Sequence, residues 1–154
     1  MKIPRLPPLI PILALLLSGV AAGRAEDKIW SAVIVASNRS NPREAPQQLL
    51  PVFNRLKRVF GYNQFEILGS TTTAIDDQVE RWLVPTERFW LNVKARRASA
   101  KEARGGYLLN LQLFQDKRQL VETEAKLAPE SPLFIRGPLH ASGQILIVLQ
   151  VQPK

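Results

Sequence analysis

The chain has 154 residues, of which 45% are apolar and 22% charged, with no cysteine and a formal net charge of +8 at pH 7. This composition is typical of a globular protein and excludes a disordered tail or a collagen-like chain. The lack of cysteine excludes a disulfide scaffold and every thiolate metal site. At this length a single domain is expected.

Residues 1–25 predict a secretory signal peptide. Two basic residues precede an apolar stretch at positions 9–17, and small residues follow as far as Ala25, which is the usual pattern of such a leader. A membrane-spanning helix needs about 20 apolar residues, so a stable membrane anchor is the weaker interpretation. Cleavage after Ala25 would leave residues 26–154 as one domain, exported to the periplasm or out of the cell. Cleavage after Ala22 is the alternative.

The next two elements differ in the spacing of their apolar residues. Residues 29–36 are almost continuously apolar, which predicts a strand covered on both faces. Between 47 and 60 the apolar residues recur at helical spacing, and Gly61 supplies the stop. Because Pro51 is unfavourable in a helix interior, we start the helix near Gln48, which puts the proline at the end of the first turn. A kink is the alternative.

A second strand is predicted from 62 to 72, where apolar and polar residues alternate. It completes a strand–helix–strand unit with the size of a compact βαβ motif. Residues 74–84 fit two structures. Asp77 with Glu80 is compatible with a capped helical turn, whereas the alternating apolar residues fit a strand broken by Pro85.

The remainder of the chain has the alternation of half-buried strands. Four segments show it, 89–96, 107–113, 121–127 and 144–152, and 133–135 is predicted as a short strand. A basic hairpin loop at 98–106 and a tight turn at 115–118 connect the first three, and such strands are typical of antiparallel sheets. The sequence therefore predicts an α+β fold: a βαβ start followed by an antiparallel β-meander, with one amphipathic helix packed on the sheet. A β-sandwich is the alternative.

His140 is the single histidine and the first candidate for catalysis. It lies between a Gly-Pro and a Ser-Gly pair, which are typical turn formers. A catalytic triad also needs an orienting carboxylate and an oxyanion hole, and no Gly-x-Ser-x-Gly motif occurs. We therefore expect no enzyme, and keep as an alternative a small secreted hydrolase that uses His140 with Asp76 or Asp77.

No cofactor or metal site is predicted. With one histidine and no cysteine, a zinc site would need three carboxylates, which is unusual for that ion. The acidic cluster of Asp76, Asp77 and Glu80 lacks the ligand spacing of a calcium loop, and a helix start explains it more simply. The chain also has no glycine motif of the kind that cradles phosphate.

Positive charge is spread over the chain. Basic residues follow the first strand, lie on the helix and surround the long loop: Arg39, Arg43, Arg55, Lys57, Arg58, Arg96, Arg97, Lys101 and Arg104. Since we expect export, we expect no nucleic-acid partner. Anionic envelope polymers or lipid headgroups would be attracted by the same charges, although a solubilising surface is the simpler interpretation.

Trp90, Lys94 and Arg96 are the predicted binding residues because they share one strand face at period two. An exposed aromatic side chain is a frequent binding anchor, whereas the alternative is that Trp90 packs with Trp82 or the helix. We therefore predict a small exported, non-catalytic domain that binds or assembles with another cell-envelope component, either a protein or an anionic one. It would use this basic face or a sheet edge that accepts a partner's strand. A protein that binds anionic membranes or polymer surfaces is the further alternative.

Overall fold

The computed structural model describes residues 26–78, 80–83, 86–99, 101, 105–141 and 143–152. The helix and strands are β1 (Asp27–Ser37), α1 (Leu50–Phe60), β2 (Gln64–Ile75), β3 (Glu80–Leu83), β4 (Phe89–Arg97), β5 (Tyr107–Gln115), β6 (Arg118–Leu127), β7 (Leu133–His140) and β8 (Gly143–Gln152). The first sheet has the order β2-β1-β8-β7 and the second has the order β3-β4-β5-β6. The predicted signal peptide lies outside the described residues. No helix in the described ranges has both the length and the apolarity needed to cross a bilayer.

The predicted central strand is confirmed. β1 pairs with β2 on one side and with β8 on the other, antiparallel to both. Residues 29–34 are buried, because the side chains on both faces of the strand are covered. Ile29 and Val33 point into one apolar cluster, while Trp30 and Ile34 point into another on the opposite face.

The helix is also confirmed, with a change at its start. One turn of 3-10 helix, Gln47–Leu49, precedes α1, which places Pro51 in the first α-helical turn. A proline there loses no helical hydrogen bond, so the helix has no need to kink. Gly61 ends α1 with a left-handed backbone, φ +72°, and donates its N–H to the Lys57 carbonyl at 2.9 Å.

The predicted βαβ start needs a correction. Strand, helix and strand follow in that order, but β1 and β2 are antiparallel neighbours, whereas a βαβ crossover joins parallel strands. The chain leaves β1 and enters β2 at the same end of the sheet, where Ser37 is opposite Gln64. Asn63 holds the two ends together: its side-chain oxygen accepts from the Arg39 N–H at 2.9 Å, and its own N–H donates to Asn38 Oδ1 at 3.1 Å. The helix therefore lies in the connection between two strands of an antiparallel hairpin.

The ambiguous segment and the predicted meander form the second sheet. Residues 80–83 are a short strand, β3, which pairs with β4, so the strand interpretation is correct for these residues, whereas Val79, Val84 and Pro85 lie outside the described residues. β4, β5 and β6 follow as consecutive antiparallel hairpin strands. The turn between β5 and β6 consists of Asp116 and Lys117, both with positive φ (46° and 70°), as in the turns that match the twist of hairpin strands.

The last two strands return to the first sheet. β7 is longer than the predicted 133–135 and has a register shift between Arg136 and Leu139, where Pro138 removes a backbone donor. β8 was predicted to be half-buried, but residues 143–149 are buried on both faces. The reason is that β8 lies in the middle of the sheet, between β1 and β7.

Two apolar layers stabilise the molecule. The inner faces of the two sheets share one cluster, which includes Leu91, Leu111, Ile147 and Leu149. The other face of the first sheet packs against α1 through Leu49, Val52 and Leu56 of the helical segment. The described residues thus form a strand-rich α+β fold of two antiparallel sheets with one short helix, and this fold includes the packed sheets of the alternative that we considered.

Candidate binding face

One face of the second sheet points away from the first sheet, and we call it the outer face. Alternate residues of β4 and β5, such as Leu91, Val93 and Leu109, are buried between the sheets. The residues between them therefore point outward. These include Trp90, Lys94 and Arg96 of β4, all of which are exposed, so the structure confirms that the three predicted residues share a face.

Aromatic rings gather at one part of the outer face. Trp82 on β3 and Trp90 on β4 are 54% and 42% exposed. Trp90 is directly opposite Phe114 of β5, and the rings of Trp82 and Phe114 lie 5.6 Å apart between centroids. Large aromatic side chains are mostly buried in protein cores. Exposed tryptophans are a frequent feature of binding interfaces.

A polar side chain is buried beneath these rings. Asn92 is on the outer face but only 3% exposed, and its register partners are Trp82 on one side and Gln112 on the other. Its side-chain nitrogen donates to Glu80 Oε1 at 2.5 Å. A buried amide that is paired in this way fixes the local side chains, so this part of the outer face is held in one arrangement.

A cavity of about 480 Å³ lies farther along the same strands. Its lining includes the cations of Lys94, Arg96 and Lys126 and the carboxylate of Glu124. Arg96 and Lys126 are both opposite Leu108 of β5, one from each side, which brings the two cations into one row across the sheet. Among the described residues, the cavity lining therefore carries an excess of positive charge.

The structure thus brings together two of the predicted residues and separates the third. Lys94 and Arg96 line the cavity, whereas Trp90 is four residues from Lys94 along β4, or about 13 Å at 3.3 Å per residue. Sequence reasoning missed Lys126, Glu124 and Phe114, which come from neighbouring strands. The turn at 116–117 fixes the register only beside it, because an irregularity between Leu113 and Phe114 shifts the β5–β6 pairing by one residue before Lys126 is reached.

Arg97, at the end of β4, joins the two sheets beside this cavity. Its guanidinium donates to the Tyr107 hydroxyl at 3.1 Å and lies 3.6 Å from Asp27 Oδ2. Tyr107 in turn donates to Asp27 at 2.7 Å. Burial, then the hydrogen bond to the Asp27 carboxylate and its charge, raise the pKa of Tyr107 to about 12. This network stabilises the end of the sandwich.

The proposed catalytic pair is not brought together. His140 ends β7 at the Ala36 end of β1, whereas Asp76 and Asp77 follow β2 at the Asp27 end. Asp27 and Ala36 are nine residues apart along β1, or about 30 Å at 3.3 Å per residue. His140 packs edge-on against the Phe89 ring, with centroids 5.4 Å apart.

The acidic residues have structural contacts instead. Asp76 forms an ion pair with Arg81 at 3.0 Å, and Asp77 accepts a hydrogen bond from the Arg97 N–H at 2.8 Å. Neither carboxylate is positioned to orient the imidazole. The outer face is therefore the candidate site that the geometry supports. Comparisons with protein-family models, with curated proteins and with solved structures found no match to this chain.

Proposed function

We propose that the protein is an exported, non-catalytic binding domain that recognises an anionic polymer of the cell envelope through the outer face of its second sheet. One observation carries this proposal: Lys94, Arg96 and Lys126 line one cavity in which Glu124 is the single carboxylate among the described residues, and two exposed tryptophans lie on the same face. The proposed role is recognition, with no bond made or broken.

Charge supports an anionic ligand. Several cations in one concave site raise the local concentration of anions and speed their association. In the part of the chain that the structure describes, the lining has three cations and one carboxylate. The cavity therefore keeps a positive balance, and a ligand with repeated negative charges would interact with all three cations.

The aromatic side chains extend the same surface. Trp82 and Trp90 add amphipathic area to the face that carries the cations. A polymer is long enough to contact the cavity and the rings at once, because these are about 13 Å apart along β4. A single small anion would contact only the cavity.

Charge reversal tests the proposal. The probe is dextran sulfate, with unsulfated dextran as the neutral comparison, and the apparent Kd is measured by fluorescence anisotropy at low and high salt. We expect Lys94→Glu with Lys126→Glu to weaken binding about tenfold, since four units of charge change next to the polymer. Binding by the unchanged chain should also weaken as salt is added.

The matched control changes net charge equally at a distant surface. Arg43→Glu with Arg58→Glu alters two exposed residues, one before α1 and one on it. This variant should keep most of the affinity. Equal losses in the two double variants would mean that net charge alone drives association, and tight binding of unsulfated dextran would reject an anionic ligand.

A further inference from the structure

The two sheets have four edge strands, and three of them carry features that block pairing with another chain. β6 has four charged residues, namely Arg118, Glu122, Glu124 and Lys126. β3 has only four residues. β7 contains Pro138 and an irregular register. Charges, proline, irregularity and shortness are the usual protections of an exposed strand edge.

β2 lacks these protections over most of its length. A register shift opposite Val33 and Ile34 makes Leu68 a bulge, and the seven residues that follow, 69–75, pair regularly with β1. Their sequence is Gly-Ser-Thr-Thr-Thr-Ala-Ile, with no charge and no proline. In the described part of the chain β2 pairs with β1 alone, and Thr72 at the middle of the segment is exposed.

We propose that the 69–75 edge pairs with the same edge of a second copy of this chain, which would join the two first sheets into one antiparallel sheet of eight strands. The inference is independent of the proposed binding face. A two-fold axis at Thr72 makes the segment complementary to itself. In that register Thr71 is opposite Thr73, Ser70 is opposite Ala74, and Gly69 is opposite Ile75.

The pairing suits the chemistry of the segment. Threonine is favoured in strands, and cross-strand threonine pairs are stabilising. Like charges do not meet: Asp76 of one copy would be opposite Leu68 of the other, and the two Asp76 residues would be about 26 Å apart at 3.3 Å per residue. That separation exceeds the screening length of about 8 Å at physiological salt.

The expected dimer is weak and depends on salt. Edge pairing of seven residues buries less than the roughly 800 Å² per partner of a standard interface, so association should depend on protein concentration. Both copies carry positive charge, so added salt should strengthen the dimer by screening their repulsion. Binding of an anionic polymer should respond to salt in the opposite direction, which separates the two proposals.

Two variants test the interface by sedimentation velocity over a range of concentrations. Thr72→Lys places a charge on the axis and should shift the chain to monomer, raising the dimer dissociation constant at least tenfold. Asn54→Lys adds the same charge on the exposed side of α1 and should leave the dimer unchanged. A chain that is monomeric at every concentration, or a dimer that persists in Thr72→Lys, would overturn the proposal.

A cysteine provides a test that does not depend on disrupting the strand. Because the chain has no cysteine, Thr72→Cys introduces one thiol per copy. Residues opposite each other in an antiparallel pair have Cα atoms about 4.5–5.5 Å apart, which a disulfide can bridge. Mild oxidation should give a covalent dimer from Thr72→Cys far faster than from Asn54→Cys. Equal rates would indicate random collision and would reject the interface.

Discussion

Tyr107 joins the two sheets at the level of a single side chain. It belongs to β5 of the second sheet, is 1% exposed, and donates its hydroxyl hydrogen to Asp27 of β1 at 2.7 Å. Burial disfavours the phenolate, and the neighbouring carboxylate repels it, so the pKa of Tyr107 rises to about 12. The nearby Arg97 guanidinium offsets part of this effect.

We expect this pKa to be measurable in a chain with one tyrosine. The sequence has two tyrosines, so Tyr62→Phe leaves Tyr107 as the single phenol, and ultraviolet absorbance follows its ionisation with pH. The midpoint should lie near 12. Asp27→Asn removes the charge and should lower the midpoint, because burial alone then remains as the main cause. A midpoint at the ordinary tyrosine value of about 10 would contradict the inter-sheet hydrogen bond.

The same shift affects stability with a definite sign. The folded state holds the Tyr107 proton at pH values where the unfolded chain has lost it. The contribution of the protonated Tyr107 to the free energy of unfolding is therefore complete below a pH of about 10, and it disappears as the pH rises towards about 12. In urea unfolding, the Tyr107→Phe chain should lack this pH-dependent contribution, because phenylalanine has no hydroxyl group. The difference in unfolding free energy between the two chains should therefore narrow over that interval.

The candidate site was partly predictable at the residue scale. Trp90, Lys94 and Arg96 belong to one strand, so their common face follows from the two-residue period alone. Lys126 reaches the same cavity from β6, and its position depends on a register that contains an irregularity between Leu113 and Phe114. Periodicity within one strand carries no information about such a shift.

At the scale of elements, α1 shows which sequence signals are reliable. Its apolar spacing and its Gly61 stop gave the helix limits nearly correctly, because both are local properties of the chain. The direction of β2 relative to β1 is not determined by a local property of the chain. It depends on Asn38 and Asn63 meeting at one end of the sheet, which no pattern within either strand indicates.

The packing of α1 on the first sheet can be tested by deletion of side-chain volume. Leu56 is fully buried among Trp30, Ile34 and Leu146 on the helix side of the sheet. Leu56→Ala should lower the unfolding free energy by about 2–5 kcal/mol, through lost apolar burial and the cavity left behind. Thermal or urea unfolding followed by circular dichroism gives the value.

Val59→Ala is the matched control on the same helix, because Val59 is 57% exposed. Its effect should stay within about 0.5 kcal/mol. Similar losses for the two variants would contradict docking on the sheet as the cause, because alanine is the better helix former at both positions.

For the whole molecule, the separation into two sheets was the main feature beyond reach of the sequence. The alternation in β4, β5 and β6 correctly predicted strands with one buried face. In β8, Leu146 and Val148 contact the helix side while Ile145 and Ile147 contact the other sheet. Only the partition of strands between the two sheets makes this strand central, and that partition is a property of the complete fold.

The predicted leader can be tested on the intact chain in a bacterial host. A cleaved leader requires its basic start, apolar middle and small-residue exit together, so the exported product should begin at Glu26, or at Gly23 under the alternative cleavage. Intact-mass measurement of the periplasmic and cytosolic fractions identifies the cut. Reversing the two leading charges with Lys2→Glu and Arg5→Glu should leave more uncleaved chain in the cytosol.

Arg43→Glu with Arg58→Glu alters net charge equally beyond the leader and should be exported normally. An uncleaved wild-type chain in the cytosol would refute export, and with it the envelope partner, while leaving the β2 dimer open to its own test.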